Sequence, residues 1–132
     1  MKSYVQICLR WTVSIYFLFA SIAVMQGQIH YVNHAAAGLL NGSSWTDAYT
    51  DIQSAIDAAS AGDSIFVAAG IYLPTPLHPG DSGRHSTFYI NTSIQLDGGF
   101  SGKPGTEGGF TEHNVATNLT VLSGDLGLPI VD

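Results

Sequence analysis

The stretch Thr50 to Tyr72, TDIQSAIDAASAGDSIFVAAGIY, constrains this chain most. It combines one amphipathic turn of helix, a Gly-Asp turn and a strand-prone run within 23 residues. Thr50 and Gln53 have the spacing of a capping box, in which an N-terminal hydroxyl and an amide three residues on satisfy the first free N–H groups. Ile52, Ala55, Ile56 and Ala59 follow at i, i+3, i+4 and i+7 and share one helical face. Gly62 is placed to end the helix in a left-handed conformation. Ile65, Phe66 and Val67 then form an apolar, strand-prone run, which Gly70 interrupts before Ile71 and Tyr72 resume it. The reading is a small helix feeding directly into short strands with glycine corners.

The rest of the chain supplies further short strands. Ile29 to Val32 (IHYV), Thr87 to Ile90 (TFYI), Ile94 to Asp97 (IQLD) and Leu119 to Leu122 are candidates, each bounded by Gly, Asn, Asp or Ser. Gly98 and Gly99 read as a sharp corner, with Phe100 tucking back into the core. Three loops separate these pieces. They are 34–44, the proline-rich and glycine-rich 73–85, and the glycine-rich 101–118. The loop at 73–85 is the expected variable surface. The segments SIQLDGGF and LTVLSGD each pair an apolar strand with a small-residue corner about 26 positions apart, within the roughly 20–45 residues of a solenoid repeat.

Taken in this order, YVN, NGSSW, AYTDIQSAIDAASAGDSIFVAAGIY, STFYI, SIQLDGGFSG and TNLTVLSGD resemble the N-terminal end of secreted bacterial right-handed parallel β-helix proteins. These belong to the pectate-lyase-like superfamily, and the likeness is to polymorphic outer-membrane-type surface proteins. The resemblance covers most of residues 29–125. It implies a mainly β fold, with an N-terminal cap helix and the first coils of a parallel β-helix. The expected core is Trp45, Ile52, Ile56, Ile65, Val67, Ile71, Phe88, Ile90, Ile94, Leu96, Phe100, Leu119 and Val121. One or two coils can be counted where about three repeats are needed for a stable stack. The expectation is therefore a piece of a longer protein, whose remaining coils would be its first partner.

Residues 1–27 read as a secretory signal peptide. Lys2 and Arg10 precede an apolar run from Trp11 to Met25, and small residues follow at Ala20, Ser21, Ala23 and Gly27. Cleavage is expected after Gly27, with Ala23 as the alternative. An uncleaved anchor competes with this reading, but the run is shorter than the ~20 residues that span a bilayer. Residues 28–132 would then be the cap and first coils, with no membrane span of their own. They retain Arg84 and Lys103 against ten acidic side chains, a formal charge of −8. A surface this acidic repels phosphate backbones and argues against nucleic-acid binding. The single cysteine, Cys8, leaves with the signal, so the mature chain has neither a disulfide nor a thiolate metal site.

Motifs for chemistry are sparse. The histidines His30, His34, His78, His85 and His113 do not form a zinc-protease pattern. Gly98 to Lys103 is not a phosphate loop, because Asp97 stands at its first glycine position and Pro104 follows the lysine. No G-x-S-x-G nucleophile elbow occurs. Asn41, Asn91 and Asn118 begin glycosylation triplets, which are chance matches if the source is bacterial. Asp63, Asp97 and Asp125 lie at strand boundaries. They are too few and too separated for the six to eight oxygens of a Ca²⁺ site, and aspartates beside glycine usually bond their own turn. No catalytic, cofactor-binding or metal residue is assigned, and no cofactor is expected, with Ca²⁺ as the alternative. Trp45 reads as a packing aromatic over one end of the core, with a sugar-stacking platform as the alternative.

The expected function is therefore a secreted or outer-membrane surface protein with a non-catalytic structural, adhesive or glycan-contacting role. Its partner would be an extracellular glycan or cell-surface ligand. The competing expectation is the N-terminal part of a polysaccharide lyase or glycoside hydrolase whose active coils lie beyond residue 132.

Overall fold

The computed structural model describes residues 26–75 and 86–124. It consists mainly of small β-sheets with one short helix. In chain order the elements are β1 (Ile29–Val32), α1 (Ile52–Ala58), β2 (Ser64–Ala68), β3 (Gly70–Tyr72), β4 (Gln95–Phe100) and β5 (Thr120–Leu122). One sheet has the order β1-β2-β4 and the other pairs β3 with β5. Every pairing between these strands is parallel. Ile29 lies beside Ser64, and Ser64 beside Gln95, so neighbouring rungs recur 35 and then 31 residues along the chain.

The central strand explains the continuous apolar run. Ile65 and Val67 point to one side and join Val32, Ile52, Ala55, Ile56 and Tyr72. Phe66 and Ala68 point to the other and join Tyr31, Trp45, Ala48 and Phe100. A strand covered on both faces has no solvent side, so alternation disappears from its sequence. The second cluster is aromatic. Phe66 and Phe100 stack with centroids 4.4 Å apart, and Tyr31 meets Trp45 edge-on at 4.8 Å.

The helix is capped differently from the sequence expectation. Asp51, not Thr50, is the N-cap, and its Oδ1 accepts from the Ser54 N–H at 2.8 Å. Ser54 Oγ returns a bond to Asp51 Oδ2 at 2.6 Å. The carboxylate of Asp51 sits three residues before a free N–H, the geometry a cap needs. Gln53 is thereby released from capping and is buried instead. The helix ends at Ala59, whose extended backbone donates to Ala55 and Ile56. Gly62 does adopt positive φ, +93°, but in the turn after the helix.

Three strand readings also change. Residues 87–90 form no strand. Gly98 and Gly99 are not a corner but a bulge inside β4, because Phe66 pairs with Asp97 and Ala68 with Phe100. Two residues therefore oppose one, and Gly99 at φ +91° supplies the left-handed step. The repeat inferred from SIQLDGGF and LTVLSGD is not a stacked pair, since β5 lies on β3 rather than on β4. The strands that stack are IHYV, SIFVA and QLDGGF.

Of the expected core, Trp45, Ile52, Ile56, Ile65, Val67 and Phe100 are buried. Phe88, Ile94 and Leu96 are partly buried against the first cluster, and Val121 is half-buried. Ile71, Ile90 and Leu119 are exposed. Ile71 faces outward because Tyr72, its neighbour on β3, turns inward and bonds the Ala68 carbonyl through its hydroxyl. Ile90 has no strand to orient it, and Leu119 precedes β5.

The two outer edges of the main sheet differ. The backbone of residues 42–49 folds over β1. Tyr31 N–H donates to Gly42 O, Tyr49 N–H to Tyr31 O, and Asn33 N–H to Tyr49 O, all within 3.0 Å. On β4 the C-terminal end is covered, since Gly99 O accepts from Asn114 N–H and from Asn118 Nδ2. Gln95 to Asp97 has no strand on its outer side among the described residues.

Candidate functional site

Two places bring polar groups together. The first is the Ser60–Asp63 turn. Asp63 is buried, with its carboxylate held by three donors. Gln28 N–H reaches Oδ1 at 2.7 Å, and Ser60 N–H reaches Oδ2 at 2.8 Å. His30 Nε2 lies 3.2 Å from Oδ2. Its carboxyl is held below the usual carboxylate range, first by the Ser60 N–H, then by the Gln28 N–H and by His30. The Gly-Asp pair that reads as a turn in sequence thus fastens the start of β1 to the helix–β2 junction. Its oxygens are occupied by these donors and are not presented to a ligand.

The second is an open cleft of about 390 Å³ between the 33–38 loop, residues 45–46 and the 102–104 segment. Ala35, Ala36, Ala37 and Pro104 give it apolar walls, and Asn33 and Thr46 give it polar ones. Asn33 is fixed by the chain around it: its Oδ1 accepts from Ala35 N–H at 3.0 Å, and its Nδ2 faces Gly102 O at 3.4 Å. Gly102 permits this approach. Its φ is +70°, and a Cβ there would stand 2.7 Å from Ala68 Cβ and 2.9 Å from Asn33 Nδ2. No charged side chain lines the cleft, so it suits a small uncharged polar molecule. Nothing in it pairs a nucleophile with a base.

The residues singled out from sequence are dispersed. His34 packs edge-on against Tyr72, and His113 against Phe100 and Phe110. Asp97 accepts from the Gln95 amide at 2.8 Å. His78, His85, Asp125 and most of the loop at 73–85 lie outside the described residues. Among the described residues, no three His, Cys, Asp or Glu side chains converge to hold a metal ion. Trp45 has only 2% of its surface exposed and is flanked by Tyr31 and Phe100, so its ring faces serve the core rather than a sugar platform. The cleft was not legible in advance. Its walls come from two loops about 65 residues apart, both readable as loops in the sequence, but nothing in the sequence showed that they meet.

No family model matches the chain, and no curated protein or solved structure resembles it closely enough to register as a match.

Proposed function

We propose that this chain is the closing end of a right-handed parallel β-helix on a secreted or cell-surface protein, with a non-catalytic adhesive or glycan-contacting role. One observation carries the reading: three parallel strands one rung apart, with one edge sealed and the other open. Parallel strands in one sheet need crossover connections, which are right-handed in nearly all proteins. Residues 42–49 satisfy the outward N–H and carbonyl of Tyr31 in β1 and the N–H of Asn33 just after it, as an end piece would do to prevent edge-to-edge pairing. Gln95 to Asp97 presents an unpaired strand edge on which a further coil would continue the ladder. The uncharged cleft at Asn33 and Thr46 lies beside the sealed end and is the surface offered for glycan contact.

The test is sedimentation and thermal unfolding of residues 28–132, followed by circular dichroism. An end piece without its stack should self-associate through the β4 edge as concentration rises. Placing a lysine at the exposed Gln95 should suppress that association. A monomer at every concentration, unfolding in one sharp transition, would instead identify a self-contained binding module.

A further inference from the structure

We propose that removal of the N-terminal segment at the Gly27–Gln28 bond creates an α-ammonium that locks onto Asp63, so that processing completes the fold. This rests on the export reading above. The hydrolysis consumes one water under a signal peptidase. It releases residues 1–27 with a carboxylate on Gly27 and leaves the proton-bearing amine on Gln28.

The receiving site is already built. Gln28 N lies 2.7 Å from Asp63 Oδ1, within the distance of a charge-assisted N⁺–H···O⁻ bond. It cannot drift, because the Gln28 carbonyl accepts from Ser64 N–H at 2.8 Å and so holds the residue on the β1–β2 ladder. Before cleavage this nitrogen carries one neutral N–H. Afterwards it carries a full positive charge beside a buried carboxylate. Gly27 packs so tightly on the Gly62 carbonyl that a Cβ on it would overlap that carbonyl. His30 faces the other carboxylate oxygen, with the Tyr49 ring 6.4 Å from the imidazole. His30 and Tyr49 are thus the titratable side chains that flank the pair.

The lock has a chemical consequence. A free N-terminal glutamine loses ammonia when its α-amine attacks its own side-chain amide. An amine held as ammonium has no lone pair to attack with, so Gln28 should persist uncyclised in the folded chain. The pair should also raise the unfolding midpoint below the ordinary α-amino pKa of about 7.7–8.0. That gain should disappear as the amine loses its proton at higher pH.

The experiment expresses the full chain in a bacterium and reads the N-terminus and intact mass of the exported product. The α-amine is then acylated at neutral pH, folded and in urea. The expected product begins with uncyclised Gln28, and its amine reacts several-fold more slowly when folded. Asp63→Asn should restore the faster rate and allow cyclisation. Export with a different first residue, a product lighter by one ammonia, or equal rates folded and unfolded would overturn the lock while leaving the export reading intact. A chain retained uncleaved would overturn the export reading itself. The wild-type rates alone decide the matter if Asp63→Asn does not fold.

Discussion

Gln53 gives the sharpest test of how the described segments hold together. It is a buried amide on an apolar helix face, with 2% of its surface exposed. Its Oε1 accepts from the Tyr89 N–H at 2.9 Å, and its Nε2 donates to the Tyr89 carbonyl at 3.0 Å. The side chain thereby stands in for a neighbouring strand, satisfying both backbone groups of a segment that has no strand partner. Nε2 also donates to Asp57 Oδ1 at 2.9 Å. Gln53→Leu keeps the volume and removes all three bonds. The two bonds to Tyr89 are neutral, each worth about 0.5–1.5 kcal/mol net. The third ends on an exposed carboxylate and adds less than about 1 kcal/mol. Leucine recovers part of this through its own burial, so the expected loss is about 1–3 kcal/mol.

Gln53→Glu separates polarity from shape. A carboxylate keeps the acceptor for Tyr89 N–H but turns a negative oxygen toward both the Tyr89 carbonyl and Asp57. Burial and the Asp57 charge raise its folded pKa, so the penalty is fully present above that raised folded value, shrinks as pH falls toward the unfolded value of about 4.3, and is gone below it. The glutamate variant should therefore be the less stable of the two at neutral pH and approach the leucine variant in acid. Urea unfolding measures both, and hydrogen exchange at the Tyr89 amide reports the local contact. A leucine variant within about 0.5 kcal/mol of wild type, with Tyr89 still protected, would refute the argument.

Ile65 is fully buried in the middle of the central strand, so Ile65→Asp, which puts an unpaired charge there, should abolish soluble folding; a soluble variant with a cooperative melt would disprove its burial. Asp63 has a depressed folded pKa, so it stabilises the fold above its unfolded value and loses that contribution as pH falls through the folded one. Asp63→Asn should accordingly flatten the fall in thermal midpoint below about pH 4. Gly102→Ala, at φ +70° and against Ala68 and Asn33, should cost about 1–3 kcal/mol in a chemical melt and displace Asn33 from the cleft.

What the sequence made legible was local. The 3.6-residue spacing of Ile52, Ala55 and Ile56 placed the helix, and the apolar, strand-prone run Ile65–Val67 placed the central strand. What it hid was set by tertiary partners. The cap lies at Asp51 rather than Thr50, and Gln53 instead bonds Tyr89, a contact across 36 residues. The Gly98–Gly99 pair was read as a break because glycine marks corners and bulges alike. Only the register against β2, and Thr120 packed beside Gly98, distinguish the two. Ile71 and Leu119 look like core residues by composition, but side-chain direction in a three-residue strand depends on which neighbour finds the interior first.

Burial also differs between the two outer strands of the main sheet. His30, Ile65 and Leu96 lie side by side on β1, β2 and β4. Ile65 is closed by strands on both sides. On β1, also an outer strand, Val32 has no exposed surface, because Tyr49 bridges to it and residues 42–49 cover the edge. On β4, Leu96 is only partly buried, as is Ile94 just before it, although both pack against the same apolar cluster. Two outer strands of one sheet thus differ in how completely they are covered. Covering β4 requires another backbone at strand spacing, with parallel polarity to continue the ladder, and apolar side chains to lie over Ile94 and Leu96. Under the β-helix reading proposed above, one more rung of the same kind would meet those requirements, whereas Tyr31 on β1 is already bonded by the folded-over backbone.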